Sequence, residues 1–243
     1  MSRPDVIVNA IGHKLILQLA KETSTIPIVV VFGDPVAAGL VQNLARPERN
    51  ITGIAADAGI EMQGKHLDLL RQAIPSTSRV AYLSPREDWE GAWGHAANEA
   101  GRRLGVSIVG TPVENSAEEP QYRQAFEKMV QQSADALMYN GLGPNFIHRY
   151  VITELAVRHR LPSIGWFLDV VKARGLLAYG ADQDEFVDRW ADQVGQILKG
   201  AKPSDIPFYQ PTKFLLVINL RTARTLGLNI PSALLASADE VIE

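Results

Sequence analysis

The chain contains no cysteine, which excludes disulfide cross-links and thiolate metal sites. No stretch approaches the ~18 consecutive apolar residues of a membrane-spanning helix. Charge of neither sign dominates: Lys and Arg number 24 against 27 Asp and Glu, a formal net charge of −3. That balance leaves no basic footprint for nucleic acid and no polybasic membrane patch. The opening residues, MSRPDVIVNA, lack the apolar core of a signal peptide. Catalytic motifs are also lacking: there is no Gly-x-Ser-x-Gly elbow and no His-Glu-x-x-His. The five histidines (His13, His66, His95, His148 and His159) include no pair at i, i+3 or i+4, so metal-ligand spacing is missing. Each is expected on a helix surface. No cofactor is implied, and the sequence points away from an enzyme.

What is present is an ordinary globular composition, 46% hydrophobic and 21% charged in 243 residues, enough for one large core or two small ones. Short β-branched runs alternate with amphipathic segments, which predicts parallel βαβ units. Strands are expected at Asp5–Ala10, Ile28–Phe32, Ile51–Ala55, Arg79–Leu83, Ser107–Val113, Ala136–Tyr139, Ser163–Trp166, Leu176–Tyr179 and Phe214–Asn219. Helices are expected at Gly12–Thr23, Val36–Leu44, Glu61–Ala73, Gly91–Leu104, Gln121–Gln132, Phe146–His159 and Glu185–Lys199. In the last, Phe186, Trp190, Val194, Ile197 and Leu198 form one apolar stripe.

Two stretches carry a family resemblance. IPIVVVFGDPVAAGLVQNLARPERNITGI spans Ile26 to Ile54. From Gly175 onward, an amphipathic helix leads into ILKGAKPSDIP, then FLLVIN, then LGLNIP. This order resembles the solute-binding proteins of ABC transporters of the tryptophan/tyrosine type. The resemblance implies an α/β fold with two Rossmann-like lobes of parallel sheet, type I periplasmic-binding-protein-like. Residues 1–76 would form a first lobe, 77–177 a second, and 178–243 a segment crossing between them. The resemblance implies a further strand–helix–strand–helix unit, on the order of 60 residues, before the point matching Pro4, so the first lobe is expected to be incomplete in this sequence. An apolar edge strand at Asp5–Ala10 is then expected, and exposed edges recruit other chains, so a homodimer through that lobe is expected.

In parallel sheets ligands sit at the carboxyl ends of strands. The candidate contacts are therefore the strand-end loops: Asn9 and Gly12 in the first, then Gly33, Asp34 and Pro35. In the second half they are Trp89, Tyr139, Asn140, Trp166, Phe167 and Asp182. Asp34 and Asp182 are equally well explained as helix N-caps, and the rings as core packing. Three strand ends delivering aromatics to one rim favour a pocket for a flat solute. Gly59–Lys65 has phosphate-loop spacing, but His66 stands where Ser or Thr is required. Gly141-Leu142-Gly143-Pro144 lacks the third glycine of a dinucleotide loop. The function the resemblance implies is a receptor that takes a small organic molecule, an amino acid and in particular an aromatic one, in the cleft between lobes and feeds ABC permease subunits in the periplasm or cell envelope. The alternatives are a cytoplasmic sensor of the same fold and a truncated, non-binding remnant. No nucleic acid partner is expected.

Overall fold

The computed structural model describes residues 4–10, 13–56, 59–141 and 143–243. In chain order the elements are β1 (Ile7–Asn9), α1 (His13–Glu22), β2 (Ile28–Phe32), β3 (Ile51–Ala55), α2 (Met62–Ala73), β4 (Arg79–Leu83), α3 (Arg86–Glu90), α4 (Ala92–Leu104), β5 (Ser107–Gly110), α5 (Glu119–Gln131) and β6 (Ala136–Tyr139). There follow α6 (Pro144–Ile147), α7 (Arg149–Arg158), β7 (Ser163–Gly165), α8 (Leu168–Ala173), β8 (Leu177–Ala181), α9 (Gln183–Leu198), β9 (Phe214–Asn219), α10 (Leu220–Leu226), α11 (Ser232–Ala236) and β10 (Glu240–Ile242).

By internal contacts these form two compact units: residues 1–58 with 182–213, and residues 59–181 with 214–243. The division departs from the sequence expectation of a boundary near Ser76, because α2 packs on α4 and β7 of the second unit.

The first unit carries a three-stranded parallel sheet in the order β1-β2-β3. β2 is IVVVF, and four of its five residues are buried, as a β-branched run covered on both faces requires. One face packs Ile28, Val30, Phe32 and Ile51 with Ile16. The other sets Val29 against Trp190, Val194 and Ile197 of α9, three members of the stripe expected from sequence, whose Leu198 is instead exposed. Thr52 donates its hydroxyl to the Ile206 carbonyl at 2.7 Å, and Gln193 donates to the Gly53 carbonyl at 3.0 Å. The helix expected over Val36–Leu44 is instead a run of turns. Gly39 adopts φ +67°, a left-handed conformation that ends a helix rather than extending it.

The second unit holds a seven-stranded sheet, β10-β9-β8-β7-β6-β4-β5. All its pairings are parallel except β8 with β9, so the expected parallel βαβ units are joined by one antiparallel pair where the chain returns. Tyr82, Met138, Ile164, Leu177 and Ile218 lie in the core on one face; Leu83, Phe126, Leu137 and Tyr139 on the other. Helix ends follow local chemistry. Glu118 and Gln121 form a capping box at α5, Gly105 closes α4 at φ +67°, and Asn219 caps α10 by accepting from the Thr222 amide.

Candidate functional site

β4, β6, β7 and β8 run parallel, so Leu83, Tyr139, Gly165 and Ala181 end on one rim of the second unit's sheet. Trp166 and Phe167 follow β7 at that rim, and rings from neighbouring helices and from β8 pack around them. Trp166 meets Trp93 edge-on, ring centroids 5.6 Å apart, and His66 at 5.5 Å. His66 lies 6.1 Å from Tyr179, which stacks on Phe214 at 5.9 Å and sits beneath the Lys65 ammonium. A second group adjoins through Gly141: a carbon added there would lie 3.0 Å from Phe167 and 3.1 Å from Trp166. Phe167 packs edge-on against Phe146, and the Arg149 guanidinium lies over Phe146, Tyr150 and Phe167. Arg149 is ion-paired with Asp169 at 3.0 Å, and the same carboxylate oxygen accepts from Tyr150 at 2.7 Å.

The rings named from sequence have separate fates. Trp166 and Phe167 are half-buried members of the rim. Trp89 lies over Gly110, where an added carbon would sit 2.1 Å from its indole, and packs against Tyr82 in the core. Tyr139 is fully buried, its ring 2.1 Å from the position of a side chain at Gly165; burial pushes its phenol pKa up. Both therefore serve packing, and both need a glycine opposite because no β-carbon fits there.

Asn140 is buried and hydrogen-bonded at both ends of its amide. It donates to Asp88 at 2.8 Å and accepts from Asn145 at 2.9 Å, while Tyr122 donates to Asn145 at 2.8 Å. This chain of neutral groups holds the Asp88 carboxylate in place. Burial raises the Asp88 pKa, opposed by the Asn140 hydrogen bond, with the like charge of Glu87 adding to the rise. An unneutralised, partly desolvated carboxylate is a natural seat for a cation. Asp88 was legible in SPREDWEGAW only as one acid among three.

In the first unit the acids are engaged. Asp34 accepts from the Val36 and Ala37 amides, both at 2.9 Å. Gly33 and Pro35 are buried in the same turn, and the Pro35 carbonyl accepts from Leu40 and Val41. Asp182 caps α9 through the Asp184 and Glu185 amides and pairs with Lys213 at 2.7 Å; that hydrogen bond lowers its pKa. Asn9 is half-buried at the end of β1. Gly12 lies outside the described residues, as does the side chain of His13.

His66 contradicts the surface placement expected of it. It is fully buried, its Nε2 2.6 Å from the Tyr179 carbonyl, and desolvation lowers its pKa to about 4. The signal was present in the register: Met62, His66 and Leu70 fall four apart on the buried face of α2. His95 is exposed and His148 and His159 are half-buried. No cluster of three metal-ligating side chains occurs among the described residues, and none of their helices is long and apolar enough to cross a membrane. Two hollows lie elsewhere. One of about 760 Å³ follows the outer face of α9; the other, about 320 Å³, lies between α5 and the loop after β5. Neither is lined by a ring, so their size does not make them rivals to the aromatic rim.

This fold, a parallel-rich sheet with helices on both faces, is that of the type I periplasmic-binding class. The family model of ABC transporter substrate binding proteins matches residues 1–242. The chain belongs to that family, whose members bind solutes rather than catalyse reactions and are typically extracytoplasmic. A curated relative, the tyrosine-binding protein of Clostridioides difficile (strain R20291), is 22% identical over 219 residues, covering 87% of this chain. The match spans 60% of that relative's length. Among solved structures, an ABC domain from Streptococcus pneumoniae in complex with L-Trp superposes with a TM-score of 0.83 at 22% identity, covering 99% of this chain and 81% of that one. A conserved domain protein of Vibrio cholerae superposes at 0.82 with 23% identity, covering 98% and 79%. At these identities the structures share the fold.

Proposed function

We propose that this chain is the solute-binding component of an ABC importer, working outside the cytoplasm and taking an amino acid with a flat aromatic side chain. The observation that carries this reading is the run Trp93–Trp166–His66–Tyr179, built round Trp166 at the end of β7, together with a carboxylate, Asp88, held by Asn140 at the end of β6. The rings supply faces and edges for a planar group. Asp88 supplies the counter-charge for an α-ammonium, in preference to Asp182, whose charge is already met by Lys213. The tyrosine-binding and L-Trp-bound relatives support the same class of solute. Permease subunits are the partners this role requires.

A homodimer is also proposed, through β1, which pairs only with β2 among the described strands and leaves Val8 46% exposed. A stable edge of that kind recruits a second chain. Light scattering at micromolar concentration should return twice the chain mass; a clean monomer contradicts the dimer.

The function is tested by a thermal-shift screen against amino acids and other small solutes. A ligand at 100 times its Kd stabilises by about 2.7 kcal/mol. For a chain of this size that is a rise of roughly 5–10 °C. Aromatic amino acids should give the shift. A shift confined to sugars, or none with any solute, contradicts the reading.

A further inference from the structure

Among the buried polar groups of the second unit that lack a partner, three lie on neighbouring elements. Gln63 is fully buried and neither its amide oxygen nor its amide nitrogen is hydrogen-bonded. His66, one turn along α2, leaves Nδ1 unpartnered. Trp166, at the end of β7, leaves its indole N–H unpartnered. α2 packs on β7, and the His66 and Trp166 rings stand 5.5 Å apart at 64°. Gln63 and His66 share one face of α2, being three residues apart. A buried polar group without a partner costs on the order of 1–3 kcal/mol, and native interiors contain few of them. Two on one face of α2 and a third on the ring packed against His66 offer themselves to a common partner.

We infer that Gln63, His66 and Trp166 receive the uncharged hydrogen-bonding group on a ligand's ring, a phenol hydroxyl above all, and thereby set which aromatic solute is accepted. The inference rests on the aromatic amino-acid reading given above and deepens it.

The chemistry selects the group. The His66 Nε2 contact with a carbonyl oxygen makes Nε2 the protonated nitrogen, so Nδ1 is an acceptor. The low pKa of the ring keeps it neutral at pH 7. The Trp166 indole is a donor only, and the Gln63 amide is both. A phenol hydroxyl donates once and accepts twice, so it can donate to Nδ1 while accepting from the indole or the Gln63 amide. An indole N–H donates to Nδ1 but leaves the Trp166 donor unmet. A phenyl ring meets neither. A carboxylate or ammonium would have to be stripped of water here with no counter-charge among the three groups. The expected order is therefore tyrosine, then tryptophan, then phenylalanine. Sites built to bond a hydroxyl reject the analogue without it far more strongly than apolar pockets reject a missing methylene.

The test is calorimetric titration of L-tyrosine, L-tryptophan and L-phenylalanine into the full chain at pH 7.5. L-tyrosine should bind at least ~100-fold more tightly than L-phenylalanine. Gln63→Met fills the same volume without polar atoms. It should cut that ratio to within about tenfold and, by removing an unpartnered amide, raise the melting temperature of the ligand-free protein. Trp166→Phe, which keeps a ring but removes the N–H, should also narrow the ratio. Equal binding of tyrosine and phenylalanine overturns this inference and leaves the receptor reading standing. A tyrosine preference unchanged in both variants, or a lower melting temperature in Gln63→Met, also overturns it. Failure of all three amino acids to bind overturns the receptor reading and this inference together.

Discussion

The two units are built from the same parts but differ in what the polar side chains around their strands have left to offer. In the first, Asp34 and Asp182 each satisfy two backbone amides, and Asp182 also holds Lys213. Those acids complete turns and a helix cap. In the second, Asp88 is held by Asn140 with no cation beside it, and Gln63, His66 and Trp166 retain free hydrogen-bonding capacity. The difference teaches that an acid after a strand is ambiguous until its neighbours are known. The same residue type is structural where the local amides need it and available where a side-chain amide has fixed it from behind.

The comparison can be broken most severely at glycines that admit no side chain. A carbon added at Gly53 would lie 1.9 Å from the Val30 carbonyl oxygen, at φ +151°. Gly53→Ala should destabilise the first unit by roughly 4 kcal/mol, read by chemical denaturation. Hydrogen exchange should show the loss first in β2 and β3, with the second unit's strands still protected.

Next in size is the pH dependence of the second unit. His66 has a folded pKa of about 4 against 6.5 unfolded. Between these values the unfolded chain binds the extra proton, so stability rises with pH across that window. Falling from pH 6.5 to 4 should therefore remove roughly 3 kcal/mol, at 1.36 kcal/mol per unit. Above pH 6.5 His66 should contribute no slope. Melting curves across that range should show the slope, and His66→Leu should flatten it.

Of similar size, but opposite in functional consequence, is the contrast between two tryptophans. Trp89→Ala should cost about 3 kcal/mol of stability, as expected for a packed ring, and leave ligand affinity within a few-fold. Trp166→Ala should cost less stability and remove measurable binding. Paired melting and titration of the two variants checks this. The smallest effect expected is at Asp182, where Asp182→Ala removes a helix cap worth about 1 kcal/mol without changing affinity. A large affinity loss there would assign the first unit a ligand contact that its hydrogen bonding argues against.

Much of the fold was legible because periodicity reports burial. The IVVVF strand landed as expected, as did the α9 stripe apart from Leu198, which is exposed, and LGLNIP marked a helix closed by Gly227 at φ +74°. The Val36–Leu44 expectation failed because apolar content outweighed one glycine whose left-handed conformation ends the turn. The antiparallel β8–β9 pair was missed because strand direction is set by where the chain returns, not by strand composition. The rim aromatics Trp166 and Phe167 were legible as strand-end residues. Tyr139 and Trp89 looked the same in sequence, and only the bare glycines facing them, Gly165 and Gly110, show that their rings turn inward. His66 was missed because a histidine in a helix is read as polar, although its position matched the buried face. Asp88 had no distinguishing signal, since Asn140 lies 52 residues away in sequence.

The most direct test of the account is calorimetric titration of L-tyrosine and L-tryptophan into the wild-type chain beside Trp166→Ala. The account predicts saturable binding at one site per chain in the wild type and none in the variant, with the variant still folded by circular dichroism. Binding that survives the loss of Trp166, or no heat from the wild type with either amino acid, would contradict it.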